Sequence, residues 1–217
     1  MNKEWSELNK LMQMQIKKEE TWNDGVNTLF ELRKQLFDVF LSLKSDLARE
    51  DFDAIPFINA DGNHSTTIGW SLWHVFRIED IVAHTLVTDD EQVFVSGRYQ
   101  KRIHPTVITT GNELTKKETA DFSRQLDLEA LYTYMADVKN STERLIGELP
   151  FSALQQKPSV EGKERLKALN VVSTHKDAFW LIDYWCGKDI RGLIQMPFSR
   201  HWIMHAEAVL KIQNKLK

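Results

Sequence analysis

Two histidines near the end of the sequence have a spacing that would let them bind one metal ion together. In a helix, His201 and His205 would project about 40° apart on one face, where side chains four residues apart are neighbours. The spacing alone is weak evidence, since seven histidines in 217 residues give about 0.2 such pairs by chance. The same helical stripe also contains Phe198, Ala208 and Ile212. The pair is therefore predicted to face a hydrophobic core.

His74 is the third candidate ligand, and it lies within a strongly apolar stretch of the chain. Its helical stripe contains Trp70, Ile78 and Ile81, so its imidazole is also predicted to point inward. Three neutral imidazoles are typical of zinc or nickel sites, and less often of iron or copper sites. Three protein ligands leave a coordination position open, which is typical of catalytic sites. The alternative is that these are core histidines hydrogen-bonded to carbonyls or carboxylates.

The remaining four histidines have simpler interpretations. His64 is expected at the surface in a loop, and His104 lies in an irregular segment where it could cover a site. His84 falls about 80° from the stripe of His74 and near a helix end, where a cation suits the helix dipole. His175, near the start of a short helix, is a reserve ligand only.

Charged residues follow His74 closely, and two arginines could act on a substrate. Arg77 would lie about 60° from His74 on the helix and could reach a pocket. Arg77 or Arg200 could then steer an anionic group. Glu79 and Asp80 are interpreted as ion-pair partners of Arg77 or Arg200 rather than as metal ligands.

Other kinds of catalytic motif are absent from the sequence. It contains no nucleophile elbow, phosphate loop, dinucleotide fingerprint, HExxH or CxxC. Cys186 has no base beside it in sequence and is interpreted as a packing residue. The aromatic side chains near the histidines are interpreted as core rather than as a substrate box: Trp70, Trp73, Phe179, Trp180, Trp185 and Trp202.

Composition and charge exclude several classes of protein. The formal net charge is −3 and the basic residues are scattered, so no basic stripe of a nucleic-acid binder is present. No window approaches the ~18 continuous apolar residues of a membrane span, and the first 20 residues lack the apolar run of a signal peptide. One cysteine cannot form an intrachain disulfide, which fits a reducing compartment. We therefore expect a cytoplasmic protein that binds neither nucleic acid nor membrane.

The histidines must be positioned by helices, because helical spacing dominates the chain and strand-type alternation is nearly absent. The spacing predicts helices over residues 4–20, 23–48, 65–86, 128–149, 177–185 and 197–217, with helical turns at 152–156 and 164–169. Asp24 is predicted to cap the second helix, Ser65 or Thr66 the third, and Pro197 is predicted at the first position of the last helix.

The connection over residues 88–125 is long enough to cross a bundle from end to end, so the helices on either side of it could run parallel. A short extended piece is predicted at 93–95 and a short helix at 115–122. The length and pattern predict an all-α fold: one domain over residues 1–217, a four-helix bundle with extra short helices and a leading helical extension over 1–20.

Two segments of the sequence resemble the DinB-like (DinB/YfiT) superfamily. Residues 68–80 (IGWSLWHVFRIED) look like its second helix, and residues 196–205 (MPFSRHWIMH) look like its last helix. The likeness extends from about residue 24 to the end. It implies a bundle in up-down-down-up order with a long crossover between helices 2 and 3. It also implies a metal site at the positions of His74, His201 and His205.

The resemblance implies several possible reactions. Members of the superfamily include S-transferases that use bacillithiol- or mycothiol-type thiols, a thiol-dependent isomerase, and proteins described as metal-dependent hydrolases. We therefore predict an enzyme whose Zn²⁺ or Ni²⁺ lowers the pKa of a bound thiol or water and presents it as a nucleophile to a small molecule.

Two other functions are alternatives to this enzymatic one. The first is a non-catalytic, stress-associated protein that binds metal and dimerises. A fourth protein ligand or a sealed site would favour it, and a homodimer is compatible with either function. The second is DNA binding, which the superfamily's damage-inducible name invokes but the negative net charge opposes.

Overall fold

The computed structural model describes residues 2–217, and those residues contain helices and no strand. The α-helices are α1 Lys3–Gln15, α2 Trp22–Asp46, α3 Ile68–Ile81, α4 Val93–Ser96, α5 Tyr99–Ile103, α6 Lys116–Gln125, α7 Leu128–Glu148, α8 Val160–Ala168, α9 Lys176–Cys186, α10 Ile190–Gln195 and α11 His201–Leu216. Short 3₁₀ turns lie at Glu19–Thr21, Arg49–Asp53, Asn63–Ser65 and Phe151–Gln155, and π-helical turns at Val82–Val87 and Met196–Arg200. The predicted all-α fold class is confirmed.

Helix α3 is central, as its composition predicts, because all of its residues are buried. Its N-cap is Thr67, whose hydroxyl accepts a hydrogen bond from the backbone N–H of Trp70 at 3.2 Å. The prediction of Ser65 or Thr66 as the cap was wrong. The hydroxyls of both residues donate instead to carbonyls three residues earlier, within the preceding turn.

Helix α2 begins earlier than the position of Asp24 predicts. The 3₁₀ turn Glu19–Thr21 runs directly into it, so Thr21 occupies the cap position without a side-chain hydrogen bond. Asp24 lies inside the first turn, where a carboxylate suits the helix dipole. The prediction that Asp24 caps this helix was therefore wrong by one turn.

The predicted extended piece at 93–95 is a short helix, α4, and a long-range contact explains the difference. The carboxylate of Asp80 in α3 accepts hydrogen bonds from the backbone N–H groups of Val93 at 2.8 Å and Phe94 at 2.9 Å. These are N–H groups of the first helical turn, which have no partner within a helix. Asp80 thus stabilises the start of α4 from another helix.

Pro197 does not begin the last helix, contrary to the prediction. It lies in the π-helical turn Met196–Arg200, which connects α10 to α11. Proline has no N–H for the regular helical ladder, so the ladder is interrupted here. The hydroxyl of Ser199 in this turn donates to the carbonyl of Ile194 in α10 at 3.0 Å. His201 follows the turn directly.

The four long helices α2, α3, α7 and α11 all contribute side chains to one buried hydrophobic cluster. Helices α2 and α3 each contact both α7 and α11, and α1 packs along α2. A buried aromatic group of Phe40, Phe76 and Trp202 joins α2, α3 and α11. No helix in the described residues has both the length and the apolarity needed to cross a bilayer.

Candidate metal centre

The three histidines singled out from the sequence lie side by side at the contact between α3 and α11. The ring centroids of His74 and His201 are 5.0 Å apart, those of His74 and His205 are 5.0 Å apart, and those of His201 and His205 are 4.7 Å apart. All three are buried, and each offers a ring nitrogen within 4.8 Å of the others. The arrangement could hold one metal ion.

A backbone carbonyl fixes the orientation of the His74 ring. Its Nδ1 lies 2.7 Å from the carbonyl oxygen of Thr110. Because a carbonyl only accepts hydrogen bonds, Nδ1 must carry the proton and Nε2 is left with a free lone pair. The indole of Trp70 stacks against the face of the His74 ring, with ring centroids 4.4 Å apart and planes inclined by 13°. Such support is typical of histidines that bind metals.

The support of His74 is part of a larger contact between α3 and the carbonyl segment, which we define as residues 108–111. Four α3 side chains donate hydrogen bonds to its four successive carbonyls. The pairs are Arg77 Nε with Ile108 (2.8 Å), Trp73 Nε1 with Thr109 (3.1 Å), His74 Nδ1 with Thr110 (2.7 Å) and Trp70 Nε1 with Gly111 (3.0 Å). The carbonyl segment thus runs along one face of α3, formed by residues at i, i+3, i+4 and i+7. Sequence reasoning missed it because these contacts span more than 30 residues.

Gly111 is the one sequence signal of this segment. Its φ of +77° lies in the left-handed region that favours glycine. A Cβ at this position would also lie 2.7 Å from Nε1 of Trp70, the atom that donates to the Gly111 carbonyl. Only glycine therefore allows the backbone to approach the Trp70 indole this closely.

The nitrogens of the other two histidines indicate that a ligand belongs here. Nδ1 of His201 and Nδ1 of His205 are both buried and have no hydrogen-bond partner. Burying such polar atoms without a partner costs about 1–3 kcal/mol each. Burial also lowers the pKa of both residues well below 6.5, and the neighbouring imidazoles lower it further. Neutral imidazoles with unused nitrogens fit a divalent ion such as zinc or nickel.

The metal-free protein is predicted to lose stability as the pH falls from about 6.5 to about 4. Burial lowers the pKa of His74 to about 4, partly opposed by its bond to Thr110. Between the two pKa values the unfolded chain binds a proton that the folded chain does not, so acid favours unfolding. The shift corresponds to about 3 kcal/mol over this window.

Urea unfolding with a chelator, at pH 7 and at pH 5, measures this effect. The His74→Gln variant is the control, because glutamine does not titrate. The natural chain should lose more unfolding free energy over this interval than the variant. Equal losses in the two proteins would contradict the assignment of His74 as a titrating group.

The histidines open onto a cavity of about 320 Å³. Helix α9 contributes one wall of this cavity through Trp180, Leu181, Tyr184 and Trp185. Two amide side chains, those of Asn63 and Asn112, also line the cavity. Trp185 is buried, as the core interpretation predicts, but Trp180 is 51% exposed and Phe179 is 44% exposed. The core interpretation was wrong for these two residues, because both side chains remain exposed, that of Trp180 while it also lines the cavity.

The two arginines predicted to steer a substrate do not line this cavity. Arg77 is buried, and its guanidinium donates to Ile108, to Gln92 at 2.8 Å and to Asp80 at 3.3 Å. Arg200 is exposed on the π-helical turn. The predicted pairing of Asp80 with Arg77 is thus confirmed, whereas the predicted steering contact of Arg77 with a substrate was wrong.

Glu79 pairs with a residue that the sequence did not indicate. Its carboxylate binds Arg33 of α2 through two hydrogen bonds, at 2.7 and 2.9 Å, instead of Arg77 or Arg200. It also accepts a hydrogen bond from Nε1 of Trp202 at 2.7 Å. Arg33 and Glu79 are both fully buried. This ion pair connects α2, α3 and α11 beside the three histidines.

The other histidines lie outside the group. His84 is buried in the last turn of the π-helical stretch Val82–Val87, near a helix end as predicted. Its Nδ1 bonds Asp90 at 2.6 Å and its Nε2 bonds Ser141 at 3.1 Å. His175 accepts a hydrogen bond from the backbone of Asp177 as the N-cap of α9, so it is not a reserve ligand. His104 is exposed, and His64 is half-buried and bonded to the Lys211 ammonium.

Burial raises the pKa of the Cys186 thiol, which fits a packing role rather than that of a nucleophile. Within residues 2–217, the three histidines are the only group of three or more His, Cys, Asp or Glu placed to hold a metal ion.

No family model, curated protein or solved structure compared with the chain gave a significant match.

Proposed function

We propose that the chain is a metal-dependent enzyme of the DinB-like kind, in which His74, His201 and His205 hold one Zn²⁺ or Ni²⁺ ion. The ion would activate a thiol or a water molecule for attack on a small molecule. The observation that carries this proposal is the convergence of three buried imidazoles, two with unpartnered nitrogens, at the wall of a cavity. The cavity gives a substrate room beside the open coordination position.

The proposal includes the bundle topology that the resemblance implies. Helices α2, α3, α7 and α11 would be its four members in up-down-down-up order, with the crossover between α3 and α7. The contacts of α2 and α3 with both α7 and α11 support this arrangement. So does the position of the ligands, one on the second long helix and two on the fourth.

Each ligand has a defined part in the proposed chemistry. When bound, the metal would supply a Lewis acid that lowers the pKa of a coordinated thiol or water. The Thr110 carbonyl holds the proton on Nδ1 of His74 and so presents Nε2 as the ligand atom. Burial keeps all three imidazoles neutral, as a metal ligand requires. The burial of the three histidines, which are 2–7% exposed, would limit the access of bulk water to the reacting groups.

A non-catalytic metal site is the second candidate. It would be favoured by a fourth protein ligand that closes the coordination sphere. The described residues place three candidate ligands together, and the site faces a cavity. Both observations support an enzyme over a structural site. Dimerisation remains a prediction for either function, to be measured by the molecular mass in solution.

The proposed activity is tested with the zinc- and nickel-loaded protein. A thiol assay would pair 2-mercaptoethanol with 1-chloro-2,4-dinitrobenzene, and a hydrolysis assay would use 4-nitrophenyl acetate. We expect at least one rate to exceed that of the His205→Gln variant by about 100-fold or more, because ligand loss removes the activating ion. The His104→Asn variant, altered at an exposed position, should keep the full rate. Tight metal binding with equal rates in all proteins would favour the non-catalytic site.

A further inference from the structure

We infer that the part of the ligand that fills this cavity is uncharged and carries a planar aromatic group with a hydrogen-bond acceptor. The inference rests on the proposed function only for the position of the reacting atom at the metal. It concerns the rest of the molecule, which contacts the cavity walls.

The charges around the cavity argue against an anionic ligand. No Asp, Glu, Lys or Arg is among the described residues that line it. The buried arginines nearby already have partners, Arg33 with Glu79 and Arg77 with Asp80. The ammonium of Lys188 lies over the ring of Tyr184, 4.3 Å from its centre, and Lys188 does not line the cavity. A charge away from the metal would therefore lose its hydration without gaining a counter-ion.

The walls favour a flat apolar group. Trp180, Tyr184 and Trp185 contribute three aromatic side chains from α9 to the lining of the cavity. Met196 and Met204 add thioethers, which adapt in shape and make favourable contacts with aromatic rings. The cavity volume of about 320 Å³ lies near the lower end of the range for ligand pockets. The expected ligand is thus little larger than one substituted ring.

The two amides define the polar end of this ligand. The side-chain oxygen of Asn112 accepts a hydrogen bond from the hydroxyl of Thr110 at 2.7 Å, which leaves its NH₂ group to donate. Asn63 offers a second amide at the same cavity. A carbonyl or nitro oxygen on the ligand would match these donors. An activated carbonyl or nitroaromatic electrophile has this chemistry.

A matched pair of ligands tests the inference without relying on turnover. Benzamide and benzoate have nearly the same shape and differ in charge, so each is titrated by calorimetry into metal-free protein, where no ion can bind a carboxylate. We expect benzamide to bind at least about tenfold more tightly than benzoate, and more tightly than cyclohexanecarboxamide. Equal or tighter binding of benzoate, or no binding of benzamide, would overturn the inference.

Two lysine substitutions make the test specific to the cavity. Met204 lines it and is 36% exposed, so Met204→Lys adds a cation there with little risk to folding. We expect this variant to reverse the preference toward benzoate. The control is Leu169→Lys, at a 40% exposed position outside the cavity, which should keep the preference for benzamide. The same shift in both variants would overturn the assignment of the ligand to this cavity.

The two proposals fail in different ways. Selective benzamide binding together with inactive, metal-loaded protein would contradict the proposed enzyme and leave the ligand class intact. Turnover of anionic substrates at rates equal to uncharged ones would contradict the ligand class and leave the enzyme intact.

Discussion

The His205→Ala variant is expected to bind zinc and nickel at least about 100-fold more weakly than the natural chain, and His74→Ala and His201→Ala should do the same. Each substitution removes one of the three candidate ligands, whose ring nitrogens lie within 4.8 Å of one another. Loss of an outer hydrogen-bond partner alone typically costs 10–100-fold in metal affinity, so loss of a direct ligand should cost at least as much. Competition with a chromophoric chelator measures the affinity.

Controls separate metal binding from folding. His104→Asn is matched, because His104 is an exposed histidine with φ of +58°, a conformation that asparagine tolerates. It should bind metal as the natural chain does. In the metal-free state, His201→Ala and His205→Ala remove buried nitrogens that have no hydrogen-bond partner, so this part of their effect favours folding. Unchanged metal affinity in folded His205→Ala protein would rule out the site.

Glu79→Ala is expected to lower the free energy of unfolding by about 3–5 kcal/mol, because it leaves the Arg33 guanidinium buried without its main counter-charge. The carboxylate also holds Nε1 of Trp202, next to the ligand His201. The substitution should therefore weaken the contact of α2 and α3 with α11 as well. Urea unfolding at pH 7 measures the change.

Three comparisons give this prediction its specificity. Glu143→Ala removes the other acidic partner of Arg33. Because the Glu143 side chain is 18% exposed, its removal should lower the free energy of unfolding by less than Glu79→Ala does. Asp38→Ala removes a surface pair with Lys34 and should change stability by less than about 1 kcal/mol. The double variant Arg33→Met/Glu79→Leu should recover much of the loss, since no buried charge remains. A loss below about 1 kcal/mol in Glu79→Ala would show that the pair is not important for stability.

The helices and their inward faces were largely predictable from the sequence. Residues 23–48, 65–86 and 128–149 were predicted within a few residues of α2, α3 with its π-helical extension, and α7. The burial of α3 on all sides follows from its apolar composition. The spacing of His201 and His205 fixes their common face wherever the segment is helical. These features depend on residues that are close in sequence.

Helix boundaries and partners were less predictable. Thr67 caps α3 because the hydroxyls before it bond within their own turn, and α4 is a helix because Asp80 binds its first N–H groups. The exposure of Trp180 depends on how α9 packs, which its apolar composition does not reveal. Each of these outcomes depends on a competing hydrogen bond or on a packing direction.

By itself the sequence determined an all-α chain and the three inward-facing histidines, because helical periodicity is a local property of residue order. Only the tertiary structure decided that the histidines meet, that the Thr110 carbonyl orients His74, and that Arg33 rather than Arg77 neutralises Glu79. It also decided that no Asp, Glu, Lys or Arg within residues 2–217 lines the cavity beside them. These contacts join residues 36 to 131 positions apart, and the distance between such residues is set by how the helices pack, not by the period of any one helix.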